Sequence, residues 1–342
     1  MTKERTSSPE RELTGPVLLC DNRGRLNREA VGWSRRPLHR CNLSGRPLRK
    51  KRWNYWCVTT KRFLFSATVS DIDYLGMAFV YFLDFETKFF HEMTIATPFG
   101  RGCRLPDTVD GDVVFKHRQL EASFIREDEG SRIRVTCPAF GGRALAADIL
   151  VCYPAGHETL NVVIPWDERR FQFTSKQNTL PVTGRVTLGD AAYDAAGGFA
   201  CLDYGRGIWP YASFWNWAGA SGVSGGHTIG LNCGAGWTDG TGLTENGICI
   251  DGVLTKLGED LVFEYDNRDF MKPWTIRSAR GSGLELCFEP FFERVARTDL
   301  QVLRSEVHQM IGRFSGSVVD AAGRQYTFQD ITGWAEEHYA RW

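Results

Sequence analysis

Short runs of β-branched and aromatic residues, separated by glycine, proline, aspartate or charged clusters, follow one another from residue 53 to residue 177. Such runs are typical of strands, and no sustained helical period lies between them. The pattern predicts an antiparallel up-and-down meander, closed or nearly closed, because closure removes exposed edges. The runs are WNYWCVTT, RFLFSATVS, YLGMAFVYFLDF, KFFHEMTIAT, DVVFKHRQLEASFIRE, SRIRVTCPAF, LAADILVCY, LNVVIPW and RFQFTSKQ.

The second half of the chain repeats this pattern with about as many runs, which predicts a second sheet of barrel size. Two segments near the carboxyl end fit more than one structure. Residues 299–314, DLQVLRSEVHQMIGRF, fit a helix or a strand, and Gly312 and Gly316 favour the strand. Residues 331–342, ITGWAEEHYARW, fit one final helix with Thr332 near its start.

A chain of 342 residues is long enough for two ordinary cores. Residues 1–45 carry glycine, asparagine, arginine and proline without a sustained period, so we expect an extended arm laid across the body. The small-residue-rich stretch 184–198 favours a boundary within it. We therefore expect a first lipocalin-like barrel at residues 46–190 and a second at residues 191–342.

The composition limits the kinds of molecule that this protein is expected to bind. The 41 basic and 41 acidic residues balance, which disfavours binding to nucleic acid or to an anionic membrane. The basic cluster RPLRKKR at residues 46–52 is the local exception, and we expect it to be a solvated face or a clamp on acidic groups of this chain. No apolar run has the length of a transmembrane segment.

The ten cysteines form no CxxC pair, and none stands beside a histidine at a zinc-ligand spacing. This pattern favours a reducing compartment, and we expect a cytoplasmic protein without a metal. Neither GxxxxGK[ST] nor GxSxG occurs, so the sequence offers no phosphate-binding loop or serine elbow. No cofactor is expected.

The stretch from residue 202 to residue 257 is the main candidate for function, because polar side chains there are interspersed with glycines and tryptophans. Indoles are usually committed to cores or binding faces. The glycines are too irregular for a repeat and are typical of bulges, turns and places of close approach. The tryptophans are Trp209, Trp215, Trp217 and Trp237.

Within this stretch, Ser213, Trp215 and Trp217 alternate with Phe214 and Asn216. This is the period of a strand that carries both indoles on one face and the asparagine on the other. Only one of these faces lines a cavity. The set of residues expected to contact a ligand is Trp209, Trp215, Asn216, Trp217, Asn232, Trp237, Arg206 and Asn246.

Three acidic residues are candidate proton donors. Glu245 is the strongest, while Asp239 precedes a glycine and fits an ordinary turn, as does Asn246. Asp203 becomes a general acid if burial raises its pKa, or it pairs with Arg206 to fix a turn. His227 has a side chain suited to proton transfer near neutral pH, although a lone histidine is more often structural.

The motifs GRGIWPY, WNWAGASG and GLNCGAGWTDGTGLTENG, with SRRPLHRCNL and RKKRWNYW upstream and GWAEEHYARW at the end, resemble an uncharacterised family, domain of unknown function 2804. The resemblance covers nearly the whole chain. More distantly, the layout is similar to tandem lipocalin-like (calycin) proteins such as carotenoid hydratases, tocopherol cyclases and fungal cycloaddition enzymes. It implies two antiparallel barrels and an apolar ligand, but it transfers no catalytic residue.

Three functions stay open at this stage. The first is binding of a large apolar or polyene-like small molecule or lipid, with or without cofactor-independent, acid-catalysed hydration, cyclisation or isomerisation. The second is a glycan-binding or glycan-processing β-sandwich, because tryptophans and carboxylates also suit sugar rings. The third is a structural protein whose tryptophans join two barrels. Neither catalysis nor the oligomeric state follows from the sequence.

Overall fold

The computed structural model describes residues 10–281, 283–300 and 303–342. Strands make up its regular structure, and the one helical element in these ranges is a 3-10 turn at Arg28–Ala30. The predicted all-β class is therefore confirmed. The strands are β1 (Val17–Leu18), β2 (Trp33–Ser34), β3 (His39–Arg40), β4 (Lys50–Thr59), β5 (Phe63–Asp71), β6 (Leu75–Asp84), β7 (Phe90–Pro98), β8 (Cys103–Arg104), β9 (Val113–His117), β10 (Leu120–Glu127), β11 (Gly130–Phe140), β12 (Arg143–Cys152), β13 (Leu160–Pro165), β14 (Phe171–Leu188), β15 (Ala191–Asp194), β16 (Phe199–Ile208), β17 (Ala212–Ser224), β18 (His227–Ala235), β19 (Gly247–Ile250), β20 (Val253–Lys256), β21 (Leu261–Glu264), β22 (Trp274–Ser278), β23 (Leu284–Leu300), β24 (Leu303–Val319) and β25 (Gln325–Arg341).

The first barrel is a curled sheet in the order β7-β6-β5-β4-β16-β14-β12-β11-β10-β9-β8, with β13 and β15 paired to β14 beside this path. The curl brings β7 near β11 and brings β8 and β9 near β5. Aromatic side chains fill its interior. Phe82 lies 5.5 Å from Phe63 and 4.8 Å from Tyr193 between ring centroids, and all three rings are buried. Side chains therefore pack the inside of this barrel.

The second barrel is a sheet in the order β20-β19-β18-β17-β25-β24-β23-β22-β21. Its core includes Trp274, Phe288 and Phe314. The strand expected at residues 299–314 is present as the end of β23 and most of β24, apart from residues 301 and 302, which lie outside the described ranges. The architecture of two antiparallel barrels in tandem is confirmed.

The final helix expected at residues 331–342 is wrong, because β25 runs through this segment. β25 pairs with β17 on one side and with β24 on the other, so strands satisfy its backbone groups on both sides. Its side chains alternate: Trp334 belongs to a cluster against the first barrel, whereas Ala335 belongs to the second core. Burial of both faces overrides the helical preference of the local sequence.

The chain passes from the first sheet to the second between the end of β16 at Ile208 and the start of β17 at Ala212. Residues 199–208 thus belong to the first sheet by hydrogen bonding. The expected division between residues 190 and 191 stays a prediction about folding units, whereas the change of sheet falls about twenty residues later. At this crossing β14 and β16 of the first barrel lie against β17 and β18 of the second.

Residues 10–45 form the expected extended arm, with residues 1–9 outside the described ranges. β1 pairs with β3, and β2 pairs with β13 of the first barrel. Glu10 reaches the second barrel, where its carboxylate lies 2.6 Å from the ammonium of Lys256 and accepts a hydrogen bond from the backbone N–H of Thr244. The arm therefore contacts both barrels and connects them.

The basic cluster that follows the arm is a clamp on acidic groups of the same chain, one of the two expectations for it. Lys50 Nζ lies 3.1 Å from Asp73, and Arg52 lies 3.1 Å from Asp71. Lys51, between them on β4, points the other way, toward the rings of Tyr74 and Trp342.

Candidate functional site

The candidate site lies where the two barrels face each other, and we call this region the interbarrel layer. It is formed by the outward faces of β4, β14 and β16 and by the facing sides of β17, β18 and β25. On β16, Leu202 and Tyr204 point into the first core, so Asp203 points outward into the layer. On β17, Trp215 and Trp217 face the layer, as the alternation in the sequence predicted.

Lys176 on β14 joins two of the predicted acids in this layer. Its ammonium lies 3.0 Å from Asp203 Oδ1 and 3.1 Å from Glu245 Oε2, and 4.3 Å from the centroid of the Trp217 ring. Thr174 donates a hydrogen bond of 3.2 Å to the same Asp203 oxygen. The Lys176 ammonium therefore joins two carboxylates that are 42 positions apart in the sequence. Asp203 lies on β16 of the first sheet, and Glu245 lies between β18 and β19 of the second.

The protonation of this group follows from its charges. Burial disfavours the Lys176 ammonium, but the carboxylates of Asp203 and Glu245 favour it by more, so the pKa of Lys176 is raised. Burial is also the main cause that raises the pKa of Glu245; the attraction of Lys176 opposes it, and the repulsion of Asp203 adds to it. One cation cannot neutralise two carboxylates, so Glu245, the more buried of the two, is the preferred position for an additional proton.

Glu245 is held by groups from the second barrel. Its Oε1 accepts a hydrogen bond of 2.7 Å from Trp237 Nε1, and its backbone carbonyl accepts one of 2.6 Å from Asn232 Nδ2. Asn232 in turn accepts a hydrogen bond of 2.9 Å from Trp217 Nε1. A Cβ at Gly234 would collide with the Glu245 carboxylate, so the absence of a side chain there makes room for the acid.

Trp209 is the centre of a cluster of indoles that fills the rest of the layer, and its Nε1 donates a hydrogen bond of 2.8 Å to Gln172 Oε1. The side chain of Trp209 is 3% exposed, so the ring is surrounded by protein. These rings bury large areas and exclude water from the polar groups beside them. The ring centroids around Trp209 lie at 4.9 Å (Trp166), 5.0 Å (Trp237), 5.6 Å (Trp215), 5.7 Å (Trp342) and 5.9 Å (Trp53).

A chain of hydrogen bonds crosses the layer near Trp217. The hydroxyls of Tyr55 and Tyr81 lie 2.7 Å apart, and Tyr81 donates to Gln309 Oε1 at 2.8 Å. Gln309 Nε2 donates to Glu336 Oε2 at 2.9 Å, and Trp215 Nε1 donates to the other oxygen of Glu336 at 3.2 Å. The polar groups of both barrels are thus connected across the interface.

Of the predicted site residues, the structure brings together Glu245, Asp203, Asn232 and the four tryptophans. Asn216 is on the opposite face of β17, where its Nδ2 donates to the hydroxyl of Tyr265 inside the second barrel. Asn246 is buried nearby, and its side chain accepts a hydrogen bond from the backbone N–H of Gly234. The set Glu245, Asp203, Asn232, Trp209, Trp215, Trp217 and Trp237 therefore belongs to the layer.

The remaining predicted residues lie elsewhere. Asp239 accepts a hydrogen bond from the backbone N–H of Gly236, as in an ordinary turn. His227 lies at the hairpin between β17 and β18, and its Nδ1 is 2.6 Å from Asp251. Arg206 points into the first barrel, so it does not pair with Asp203.

The Arg206 guanidinium is fully buried and has only neutral hydrogen-bond partners. It donates to the carbonyls of Trp53 and Pro106 and to Asn54 Oδ1, and it lies 3.8 Å from the centroid of the Tyr204 ring. Burial lowers its pKa. These contacts give Arg206 a packing role in the first barrel.

Sequence reasoning missed Lys176, Gln172, Trp53, Trp166 and Trp342. One signal was present: seven of the ten residues from 171 to 180 are polar and none of them is acidic, and the structure buries all ten. A strand with polar side chains on both faces and no adjacent carboxylate requires partners elsewhere in the fold. The indoles gave no comparable signal, because Trp53, Trp166 and Trp342 lie in three segments that are distant from one another in the sequence.

Open cavities lie at other places. One of about 630 Å³ lies at the mouth of the second barrel, where His308, Glu293, Glu306 and Arg297 are among the mostly charged residues that line it. Another of about 330 Å³ lies between the barrels and is lined in part by Phe85, Lys88 and Phe291. Neither is lined by the tryptophans of residues 209–237, so any ligand of the layer must displace side chains.

No helix in the described ranges is long and apolar enough to span a bilayer.

A search of curated proteins gave no match. Among solved structures, CghA with Sch210972 (11% identity, TM-score 0.50) covers 86% of this chain and 89% of its own, and CghA without that compound has the same identity, a TM-score of 0.51 and coverages of 86% and 88%. Kievitone hydratase from Nectria haematococca has 12% identity, a TM-score of 0.47 and coverages of 86% and 89%.

The likeness to the two CghA structures supports the two-barrel fold and does not extend to the chemistry of the site, because the identities are low. The resemblance stated from the tryptophan-rich motifs is confirmed at the level of the family. With a match over residues 10–342, the chain belongs to the family described as "Domain of unknown function (DUF2804)".

Proposed function

We propose that this protein binds an apolar or polyene-like small molecule in the interbarrel layer and converts it by acid catalysis without a cofactor, with Glu245 as the proton donor. The observation that carries the proposal is the buried group of Lys176, Asp203 and Glu245 beside the indoles of Trp217 and Trp237. A carboxylic acid that burial keeps protonated is the usual means of donating a proton near neutral pH.

The arrangement suits attack on a carbon–carbon double bond. Protonation by Glu245 would leave a carbocation, which water, an internal alkene or loss of a different proton would then resolve as hydration, cyclisation or isomerisation. The faces of Trp217 and Trp237 stabilise positive charge through their ring electrons. Lys176, which Asp203 holds in position, would fix Glu245 and compensate its negative charge after the proton has left.

Access requires movement, because indoles fill the layer. Trp237 and Glu245 both lie on the segment from residue 236 to residue 246, between β18 and β19, which contains turns and no strand. Fewer backbone hydrogen bonds hold such a segment than a strand of the barrel. We therefore assign the opening of the site to this segment.

The fold is compatible with a small-molecule role. CghA, which shares the two-barrel fold, is described in a crystal structure with Sch210972. The glycan alternative is less favoured, because glycoside hydrolysis needs two carboxyl groups across an open cleft, whereas Asp203 and Glu245 share one buried ammonium. The structural alternative requires only the packing of the tryptophans, so the experiment must separate packing from chemistry.

The test compares the purified protein with Glu245→Gln, which keeps the size of the side chain and one acceptor oxygen but removes its acidic proton. Both are exposed to lipid and metabolite extracts, and bound molecules are identified by native mass spectrometry. We expect both proteins to bind an apolar molecule. Wild type should release a product that is heavier by one water or isomeric with the bound substrate, whereas the variant should retain unconverted substrate.

Asp239→Asn is the matched control, since it removes a carboxylate from the same segment outside the buried group. It should convert the substrate as wild type does. If no apolar molecule binds to any of the three proteins, the proposed function fails. If Glu245→Gln binds and converts the substrate normally, binding stands and the assignment of the proton donor fails.

A further inference from the structure

Lys51 carries a buried ammonium that takes no part in the hydrogen bonds and ion pairs of the candidate site. It lies on β4 opposite Gly207 and is 1% exposed. Its Nζ has no hydrogen-bond partner among the described residues. Two aromatic rings lie close to it, Tyr74 at 4.6 Å and Trp342 at 5.3 Å from Nζ to the centroid. Contact with ring faces offsets only part of the cost of removing an ammonium from water.

The acids near Lys51 are already engaged by other cations. Asp73 pairs with Lys50, and Asp71 pairs with Arg52. Burial and, to a smaller extent, Arg49 lower the pKa of Lys51 to about 8, and the two aspartates oppose this effect only in part. Lys51 is therefore a cation without an anion of its own, in a chain whose other buried lysines have carboxylate partners within the described residues.

Other buried donors on this side of the interbarrel layer also have no acceptor. Trp342 Nε1 and Gln172 Nε2 are both buried and without a hydrogen-bond partner in the described ranges, and so is the hydroxyl of Tyr74. The Trp342 ring contacts Trp209, so this group continues the cluster of indoles. Native proteins rarely leave buried donors unpaired, and several together indicate a binding site for a group that supplies acceptors.

We propose that Lys51, with Trp342 Nε1, binds the carboxylate of an amphipathic organic acid whose apolar part lies along the tryptophans of the interbarrel layer. This inference rests on the proposed function for the apolar part of the ligand, and it adds the chemical class of the polar end. It also gives the ligand a direction, with its acidic group at Lys51 and its reacting part near Glu245.

A carboxylate fits this position better than other polar groups. It carries one negative charge for one ammonium and has two acceptor oxygens for two or more donors. A cationic group would be repelled by Lys51 and Arg49. A phosphate usually takes several cations or backbone N–H groups, and the other cations near Lys51 are already paired or turned away from it.

The test uses decanoate and decanamide, which have the same chain and differ in the charge of the head group. Binding to wild type, Lys51→Met and Lys50→Met is measured by isothermal titration calorimetry at pH 7 and by quenching of tryptophan fluorescence. Lys50 is the matched control because it is the adjacent lysine and pairs with Asp73. We expect wild type and Lys50→Met to bind decanoate at least about tenfold more tightly than decanamide. Lys51→Met should bind the two probes equally.

A second measurement follows the amine directly. Lys51 is labelled by reductive methylation and located by peptide mass spectrometry, with and without decanoate or 50 mM acetate as probes. We expect both anions to slow the labelling of Lys51 and to leave Lys50 unaffected. The inference is overturned if Lys51→Met keeps the preference for decanoate, or if neither anion protects Lys51.

The two measurements separate this inference from the proposed function. Equal binding of both probes to wild type and to Lys51→Met leaves an apolar site in place and removes only the carboxylate contact. Protection of Lys51 by acetate, with no binding of either decanoyl probe, supports the anion site and counts against the apolar layer as a ligand site.

Discussion

At the scale of single residues, the two buried lysines of the interbarrel layer behave in opposite ways. Lys176 has two carboxylates within about hydrogen-bonding distance, and they raise its pKa in spite of burial. Lys51 has none of its own, and burial lowers its pKa to about 8. The same side chain is thus a permanent cation at one end of the layer and a titratable amine at the other.

The depressed pKa of Lys51 predicts a specific dependence of stability on pH. The folded-state pKa, about 8, is below the unfolded value of about 10.5, so the unfolded chain binds more protons between these values. Wild type should therefore gain stability as the pH rises from 8 to 10.5. Well below pH 8 the penalty is fully present and amounts to about 3 kcal/mol relative to a lysine whose pKa does not change on folding.

The measurement is the difference in the free energy of unfolding between Lys51→Met and wild type, from urea titrations at several pH values. Taking the difference cancels the groups that lie far from Lys51 and isolates Lys51 with its neighbours Arg49, Asp71, Asp73 and Tyr74, which face or adjoin the amine. The advantage of the variant should shrink between pH 8 and 10.5. A difference that stays constant over this range would show that Lys51 titrates normally.

Which residues of the site could be predicted depends on how local their signal is. Glu245 and the tryptophans stand in a stretch whose composition alone is unusual. Lys176 stands in an ordinary strand, and its role appears only when the fold brings it to Asp203 and Glu245. Arg206 and Asp203 are close in sequence, but an interval of three residues on a strand puts them on opposite faces. Contacts between residues of different sheets leave no pattern in the local sequence.

At the scale of strands, β16 and β4 illustrate how glycine permits two aromatic layers to meet. Gly205 faces the layer opposite Trp53 of β4, and a Cβ at Gly205 would collide with the Trp53 ring and with the side chain of Gln172. The backbone of β16 therefore serves as a flat support for an indole. This is a close approach of the kind that the sequence predicted for the later glycines of the same stretch.

Replacement of Gly205 by alanine should destabilise the protein by about 1–3 kcal/mol, because the added methyl group forces Trp53 or Gln172 from its place. The midpoint of urea unfolding measures the loss, and near-UV circular dichroism reports the displaced indole. Gly15→Ala is the control, since a Cβ there has no heavy atom within 4 Å, and its effect should stay within about 0.5 kcal/mol. Equal stability of the two variants would mean that the layer is loosely packed.

Strands were predicted well because alternation is a local signal, and the exception is β25. The run from residue 334 to residue 339 carries alanine and two glutamates, which favour a helix. In the fold, Trp334 and Glu336 face the first barrel while Ala335 faces the second core, so both faces of the strand pack against other elements. A strand that packs against a different element on each face can be predicted only when both of those elements are known.

At the scale of the whole molecule, the two barrels share an interface that contains charged pairs as well as indoles. Arg294 of β23 donates two hydrogen bonds to Glu92 of β7, of 2.9 Å from Nε and 2.8 Å from Nη2. Its guanidinium also lies 4.5 Å from the centroid of the Tyr81 ring. Burial disfavours the Arg294 cation, but Tyr81 and Glu92 favour it by more, so its pKa is raised.

This pair predicts that the barrels unfold as one unit. Arg294→Met leaves the Glu92 carboxylate at the interface without its cation, and loss of one partner of a buried pair costs about 3–5 kcal/mol. If the interface couples the barrels, urea unfolding should remain a single transition at a lower midpoint, with tryptophan fluorescence and far-UV circular dichroism coinciding. Arg277→Met, which breaks the exposed pair with Glu264 within the second barrel, should change stability by less than about 0.5 kcal/mol. Two separate transitions in Arg294→Met, with one barrel unaffected, would instead show that each barrel folds without the other and that the layer between them opens at low cost.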